Sequence, residues 1–388
     1  MYSISDLFDK RFVVGSNLEQ IMNGKEKTKA SLCKEAGISR PTLDKLISGT
    51  ITNKTNYEKH MGKILGCLSI TPDIILGNSK NLFSRTKSIR KALSITSEFI
   101  ASVTGISKER LEAIEAGQDA SIAELRDIAF VLGTSVRCLK GENFFEQQIA
   151  TLDIFCKTKS KDSDEELSGF WGHLGVLLNG RKEYNWFPIT GSVRDLIYQT
   201  KDLERIIVPC MNNKVLVCNM KNIKNILLLD DACDPPNFTN WNSNVDEGAN
   251  PLVLYEALED YLSVDIEDEK TQELLSKNML EVLDRFIRDN EYDEDDLYGL
   301  VNDSIIYFND GHYHNVNFDF YYSLELADEI AFSYDFRDDH TYTKVITCCE
   351  MDGAEFLLNM DNVSMIELPL IDLENTICKS REELFGES

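Results

Sequence analysis

The apolar residues of the first 150 positions recur with the spacing of α-helices, whereas those after about residue 170 recur with that of β-strands. In the segment Lys29–Gly49, apolar residues mark one face of two short helical stretches, interrupted once at Gly37. A glycine there can take the positive φ that a tight turn between two helices often needs. Ser39 is a good N-cap and Gly49 a good terminator for the second stretch. The pattern therefore predicts two helices joined by a turn, the second over Arg40–Ser48.

The same segment occurs a second time in the chain. Residues 104–117 (TGISKERLEAIEAG) align with residues 36–49 (AGISRPTLDKLISG) at a constant offset of 68, and residues 128–141 align with residues 64–77 at an offset of 64. The difference predicts four additional residues in the first copy, around residues 51–56, between its third and fourth helices. An internal repeat of this kind indicates that both copies share one helical fold.

This repeat resembles the helix-turn-helix domains of the Cro and lambda-repressor family, the Xre-like domains, over residues 17–141. The resemblance implies a five-helix unit in each copy, with the first helix of the first copy over Asn17–Met22. It also implies that the second helix of the motif enters the major groove of DNA and that its early residues meet base edges. A small helical bundle without a DNA role is the alternative for the same pattern.

Carried over by position, the resemblance implies a set of residues that contact DNA. They are Lys29, Arg40, Pro41, Thr42, Lys45, Lys54, Lys59, Lys108 and Arg110. We expect Arg40 to contact a base and Lys45 to contact a neighbouring base or phosphate. The candidates for phosphate contacts are Lys29, Lys54 and Lys59.

The second copy has a less favourable surface for DNA. Three glutamates lie close to its equivalent helix and repel phosphate, although Arg110 is able to read a guanine. We therefore expect the first copy to be the principal reader of DNA. The second copy is either a second half-site reader or a structural or dimerising element.

Net charge separates the first part of the chain from the remainder. The whole chain carries −26, which taken alone argues against binding to nucleic acid. Residues 1–91, however, hold 16 basic and 8 acidic residues, whereas residues 151–388 hold 19 basic and 49 acidic residues. A positive field that attracts phosphate is thus confined to the first part. We expect the acidic remainder to weaken binding to random DNA more than binding to a specific site.

After residue 170 the pattern is that of strands joined by hairpin turns, with Asn-Gly at 179–180 and Asp-Gly at 310–311. Residues 213–228 and 353–368 align without a gap at an offset of 140, which predicts two related β modules, each small enough for a partly open barrel. Between the modules, residues 256–296 have a helical pattern with 16 acidic and 4 basic residues. The expected fold class is α+β, with two all-α five-helix units followed by two small β modules and an acidic helical insertion between these modules.

These patterns divide the chain into six predicted segments. They are a first helix-turn-helix domain (1–78), a second with a trailing helix (79–156), a linker (157–169), a first β module (170–250), an acidic helical insertion (251–303) and a second β module (304–388). The linker is assigned because KTKSKDSDEELSG is polar and almost free of apolar residues. The C-terminal half carries no motif that resembles a known family.

Several functional classes find no support in the sequence. No phosphate-binding loop, dinucleotide fingerprint or Gly-x-Ser-x-Gly motif occurs, so neither an enzymatic activity nor a cofactor is expected. His312 and His314 lack an evident third ligand, so no metal site is expected. No apolar run reaches the length of about 18 residues that a membrane span needs. Ten cysteines without a Cys-x-x-Cys pair indicate reduced thiols in a cytoplasmic protein.

Together these observations predict a sequence-specific, repressor-like regulator of transcription that binds double-stranded DNA. Because repressors of this type usually dimerise to place two reading helices about one helical turn apart, a homodimer is expected. The acidic C-terminal half would serve in oligomerisation or sensing. The alternative is an antitoxin-like or phage-defence interaction protein whose acidic C-terminal half binds a protein partner.

Overall fold

The structure is a computed structural model in which the chain is α+β, as the sequence predicts. It describes residues 3–25, 27–76, 86–116, 118, 120–140, 144–145, 158–159, 166–167, 170–241, 250–263, 273–335 and 342–385. Two compact units result, residues 1–121 with 139–141, and residues 122–138 with 142–388. The predicted trailing helix (142–156) and linker (157–169) lie almost entirely outside the described residues.

The first unit is built from helices alone in its described residues. They are α1 (Ile4–Asp9), α2 (Arg11–Gly24), α3 (Lys29–Ala36), α4 (Arg40–Ile47), α5 (Lys54–Leu68), α6 (Pro72–Leu76), α7 (Thr86–Ala92), α8 (Ser97–Thr104) and α9 (Lys108–Glu115). One apolar core joins α1 to α6 and includes Leu32, Leu43 and Leu46. α2 begins six residues before the predicted start at Asn17, because Val14 also belongs to this core.

The turns between paired helices have the local chemistry that the sequence predicts. Gly37 and Gly105 adopt left-handed conformations, with φ values of +60° and +75°. Ser39 and Ser107 each accept a hydrogen bond from the backbone N–H three residues further on, at the starts of α4 and α9. As a result, α8 and α9 begin and end 68 residues after α3 and α4.

The four additional residues of the first copy lie inside α5 and not in the loop before it. The loops 48–53 and 116–121 have equal lengths, and α10 (Ile122–Val131) begins 68 residues after α5 begins. α5 then runs for 15 residues and is followed by a loop of three, whereas α10 runs for 10 and is followed by a loop of four, which leaves a net difference of four residues. The predicted insertion around residues 51–56 is therefore wrong. The alignment located the change of offset only to the interval between two matched segments, and the helix absorbs it as about one turn.

The longer α5 provides a surface on which α1 packs. Tyr57 of α5 is fully buried, and its hydroxyl donates a hydrogen bond to the carbonyl oxygen of Leu7 at 3.2 Å. Its ring meets the ring of Phe8 edge-on, with centroids 5.4 Å apart. Burial raises the pKa of the Tyr57 hydroxyl well above its usual range. The hydroxyl therefore stays protonated and keeps its role as a donor.

α2 crosses α4 so closely that residue 15 has to be a glycine. A Cβ atom on Gly15 would lie 2.0 Å from the carbonyl oxygen of Ile47, well inside van der Waals contact. We expect Gly15→Ala to displace α4 and to lower the free energy of unfolding of the first unit by about 1–3 kcal/mol or more. Urea denaturation followed by circular dichroism would measure this loss.

Gly66→Ala is the matched control, since Gly66 is also a helical glycine of this unit. A Cβ atom there would meet nothing within 4 Å. We expect this change to stabilise the unit by about 0.5–1 kcal/mol, because alanine loses less backbone entropy in a helix. Similar destabilisation by both substitutions would contradict a close crossing of α2 and α4.

The remaining elements combine helices and strands. The helices are α11 (Val136–Lys140), α12 (Gly191–Thr200), α13 (Leu252–Ser263), α14 (Lys277–Asp289), α15 (Glu294–Asn302), α16 (Leu324–Asp335) and α17 (Leu370–Phe385). The strands are β1 (Thr158–Lys159), β2 (Glu166–Leu167), β3 (Phe170–Leu178), β4 (Asn185–Thr190), β5 (Arg205–Pro209), β6 (Lys214–Asn219), β7 (Ile223–Asp230), β8 (Ser304–Phe308), β9 (Tyr313–Val316), β10 (Val345–Cys349), β11 (Glu355–Asn359) and β12 (Val363–Pro369).

Antiparallel pairing assembles these strands into sheets of order β5-β6-β12-β8-β9, β4-β3-β7, β10-β11 and β1-β2. The five-stranded sheet contains strands of both predicted β modules, 170–250 and 304–388. The structure thus differs from the expectation of two separate modules, because β12 of the second pairs along β6 of the first. Pairing between modules depends on contacts far apart in sequence, which an internal alignment does not reveal.

α10 belongs to the second unit, although the sequence groups it with the second helical copy. Arg126 forms an ion pair with Asp260 of α13 at 2.5 Å. Asp127 accepts a hydrogen bond from the hydroxyl of Ser276, the N-cap of α14, at 2.6 Å. These contacts tie α10 to the acidic helices. The division between the units therefore falls at residue 121, inside the predicted domain 79–156.

Candidate nucleic-acid interface

α4 buries one face and presents the other to solvent. Leu43 and Leu46 are fully buried in the core, which fixes the rotation of the helix about its axis. Arg40, Pro41 and Lys45 consequently lie on the solvent side and are exposed. Three of the predicted DNA contacts are thus available on one short helix whose orientation is set by its buried leucines.

Thr42 takes part in capping the same helix. Its Oγ1 atom lies 2.8 Å from the Oγ atom of Ser39, and its backbone N–H donates a hydrogen bond to that same oxygen. The side chain is half-buried. A base contact by Thr42 would therefore require the hydroxyl to exchange its partner at the helix terminus.

Asp44 brings two of the predicted cations together. Its Oδ1 atom lies 3.5 Å from Nζ of Lys29, and its Oδ2 atom lies 4.0 Å from Nε of Arg40. Because these side chains are partly exposed, the ion pairs add little to stability. In a complex with DNA, Asp44 would instead compete with phosphate and base for both cations. Asp44 is not among the residues predicted from the sequence, although the i, i+4 spacing of Arg40 and Asp44 indicates such a pair.

Two of the lysines predicted to contact phosphate, Lys54 and Lys59, lie on α5 and have different surroundings. Nζ of Lys54 lies 6.0 Å from the ring centroid of Phe8, which places it beside α1. Lys59 is exposed and lies next to His60. Burial, followed by the charges of Lys63 and Lys59, lowers the pKa of the His60 imidazole. The positive charge of this helix surface therefore comes from its lysines and not from the histidine.

The second copy neutralises or lacks the equivalent charges. Lys108 occupies the position of Arg40, and Ala113 occupies the position of Lys45. Lys108 forms an ion pair with Glu98 of α8. This hydrogen bond raises the pKa of Lys108 and lowers the pKa of Glu98. Residues 108–115 carry two basic and three acidic residues, whereas residues 40–47 carry two basic and one acidic residue. The surface of α9 is therefore less favourable to an anion such as DNA than the surface of α4.

A buried ion pair fastens α9 to α7. Two hydrogen bonds join the guanidinium of Arg90 to the carboxylate of Glu115, at 2.5 and 2.9 Å. Arg90 also donates to the carbonyl oxygen of Ile95 at 3.2 Å. Arg110, at the position of Thr42, is half-buried in the first turn of α9. The described side-chain contacts of α9 are thus made with α7 and α8, two helices of the same copy.

No family model, curated protein or solved structure was found to match the chain. In the part of the chain that the structure describes, no helix is both long and apolar enough to cross a membrane. Among the same residues, no group of three or more His, Cys, Asp or Glu side chains is placed to hold a metal ion.

Proposed function

We propose that the chain is a sequence-specific regulator of transcription that binds double-stranded DNA through tandem helix-turn-helix units, with α4 as the principal reading helix. The observation that supports it most is the face of α4. Arg40 and Lys45 are exposed on a helix whose other face is locked by Leu43 and Leu46. A helix of this kind, following a tight turn, suits the geometry by which the second helix of such a motif enters the major groove.

The side chains suit distinct roles on DNA. The planar guanidinium of Arg40 is able to donate two hydrogen bonds to N7 and O6 of one guanine. Once Arg40 and Lys29 exchange Asp44 for DNA, the Asp44 carboxylate becomes free to accept a hydrogen bond from N4 of a neighbouring cytosine. Lys29, Lys54 and Lys59 would then contact phosphates and set the register of the protein on the duplex.

The acidic part of the chain favours selective binding. Residues 151–388 repel the phosphate backbone, while the basic residues of the first unit attract it. Association with random DNA is therefore weak, and base contacts contribute a larger share of the total affinity. Such a regulator would act in the cytoplasm as a homodimer, whose two α4 helices meet half-sites about one helical turn apart.

Selection of bound fragments from random double-stranded DNA tests the proposal. We expect one enriched sequence, with two related half-sites about 10 base pairs apart if one α4 from each of two chains is used. A longer site without twofold symmetry would show that both helical copies of one chain read DNA. If no sequence is enriched at low salt, the proposal fails, and the alternative of a protein partner for the acidic half is favoured.

A further inference from the structure

The two β modules of the second unit repeat the same succession of elements. The first consists of β3, β4, α12, β5, β6, a short 3-10 turn at residues 220–222 and β7. The second consists of β8, β9, α16, β10, β11, a 3-10 turn at residues 360–362 and β12. β7 and β12 begin 140 residues apart, and each pairs with the first strand of its own module through a bulge after its first residue. The backbone therefore repeats as the sequence does.

Of the two equivalent strand pairs that could join the modules, only one is formed among the described strands. β12 pairs along its second edge with β6, which places Ile366 opposite Val217. The repeat equivalent of this contact would join β7 to β11, with Ile226 opposite Leu357. Among the described residues, however, β7 pairs only with β3, and β11 pairs only with β10. The two strand edges that the repeat would join are consequently open.

Apolar side chains on these edges are exposed where their counterparts are buried. Leu357 of β11 is 72% exposed, whereas the equivalent Val217 of β6 is 2% exposed. Ile226 of β7 is half-buried, whereas the equivalent Ile366 of β12 is fully buried. Met351, in the turn of the same hairpin as Leu357, is 62% exposed. An apolar strand edge that is open to water is a template for pairing with another strand.

Contacts inside the second module hold its own β10-β11 hairpin in place. The backbone N–H of Cys349 donates a hydrogen bond to Oγ of Ser323 at 2.8 Å, and Glu350 forms an antiparallel bridge with Phe318. The ring of Phe318 stacks on that of Phe356 in β11, with centroids 6.2 Å apart. The hairpin is thus anchored beside the end of β9. Among the described residues, the edge of β7 is therefore open to a strand from another chain.

We propose that β11 of one chain pairs with β7 of a second copy, in the register that places Ile226 opposite Leu357. This pair is the counterpart of the β12-β6 pair within one chain. It would complete a sheet of order β10-β11-β7-β3-β4, which matches the observed β5-β6-β12-β8-β9. Twofold symmetry forms the reciprocal pair at the same time, so one surface serves both chains. The interface does not depend on the proposed binding of DNA.

Local charge is compatible with this contact, although the second unit is strongly acidic. The proposed register pairs residues 224–229 with residues 354–359, and these two stretches carry only Lys224 and Glu355 as charged residues. The two charges are opposite in sign, and both side chains are exposed. The meeting strands therefore avoid the like-charge repulsion that the net charge of residues 151–388 would impose elsewhere.

Cysteine cross-linking of the full chain tests the proposal. Ile226→Cys and Leu357→Cys are combined with Cys233→Ser, which removes the exposed native thiol. Equal amounts of unlabelled and ¹⁵N-labelled protein are unfolded in urea and refolded together, so that the subunits exchange. Diamide then oxidises two thiols to one disulfide while it takes up their two hydrogen atoms. Mass spectrometry then identifies the linked peptides. We expect a 226–357 disulfide in which about half of the pairs join a labelled to an unlabelled peptide.

Two results would overturn the proposal. One is a 226–357 disulfide in which both peptides always carry the same label, because it would show that the hairpin of one chain closes on its own β7. The other is the absence of this disulfide at concentrations where the chain is dimeric. Either result leaves the DNA selection experiment unaffected, so this interface and the proposed function fail independently.

Leu357→Lys provides a second measurement without cross-linking. A charge in place of this leucine is expected to raise the dissociation constant of the dimer by about tenfold or more, because the buried apolar contact is lost. Sedimentation velocity of the DNA-free protein measures the change. Phe238→Lys is the matched control, since Phe238 is 70% exposed in a loop outside both strand edges. Equal effects of the two substitutions, or no effect of Leu357→Lys, would overturn the proposed interface.

Discussion

Arg40→Ala is expected to lower the affinity for the selected DNA site by about 10- to 100-fold, the cost of losing one bidentate contact to a guanine. The affinity for random DNA should fall much less, because a single phosphate contact is the most that Arg40 contributes there. Fluorescence anisotropy with both kinds of DNA at one fixed salt concentration measures the two changes. An unchanged ratio of specific to random affinity would rule out Arg40 as a base reader.

Lys108→Ala is the natural comparison, because Lys108 occupies the position of Arg40 in the second copy. Its ammonium group forms an ion pair with Glu98, so we expect its removal to change the specific affinity only slightly. A loss as large as that from Arg40→Ala would instead make α9 a second reading helix. Comparison of the two variants therefore shows whether α4 alone or both α4 and α9 contact bases.

Arg205→Ala is expected to lower the free energy of unfolding of the second unit by about 3–5 kcal/mol, since it leaves an unpaired carboxylate in the interior. Nη1 of Arg205 lies 2.9 Å from Oε1 of Glu329, and both side chains are only 6% exposed. The same carboxylate accepts hydrogen bonds from the backbone and the hydroxyl of Thr343 at 3.1 and 2.6 Å. The ring of Tyr342 covers the guanidinium at 4.5 Å.

Tryptophan fluorescence during guanidinium denaturation reports this loss selectively, because all three tryptophans of the chain belong to the second unit. Replacing both charges at once, as Arg205→Met with Glu329→Leu, is expected to restore most of the stability, since no buried charge is then left unpaired. Arg194→Ala removes an exposed ion pair with Asp195 and should cost less than about 1 kcal/mol. If Arg205→Ala cost as little, the ion pair would not be buried as described.

Local features of the first unit were predictable because they depend on neighbouring residues. Gly37 ends α3 in a left-handed conformation and Ser39 caps α4, as their residue types indicate. The ion pairs that Asp44 forms with Lys29 and Arg40, two of the predicted DNA contacts, were not predicted. Asp44 reaches Lys29 only because α3 and α4 pack at a particular angle, and the sequence alone does not contain that distance.

The predictions that were wrong concern features that depend on contacts between residues far apart in the sequence. The four additional residues of the first copy lengthen α5, where Tyr57 and Phe8 hold α1 against the helix, instead of lengthening a loop. α10 repeats the pattern of α5 and yet packs on the acidic helices through Arg126. The spacing of apolar residues is the same whether the loop or α5 is longer, and whether α10 packs on the other helices of its copy or on the acidic helices. A long-range contact decides each case.

The Lys29–Gly49 segment and its copy are determined by the sequence itself, because turn glycines, N-caps and helical spacing act over a few residues. The α+β class and the 140-residue repeat of the second half are determined in the same way. Only the tertiary structure decided that the two β modules share a five-stranded sheet and that, among the described strands, one edge each of β7 and β11 is left open. Strand pairing is chosen by which edges meet in space, and residues far apart in the chain leave no local signal of that choice.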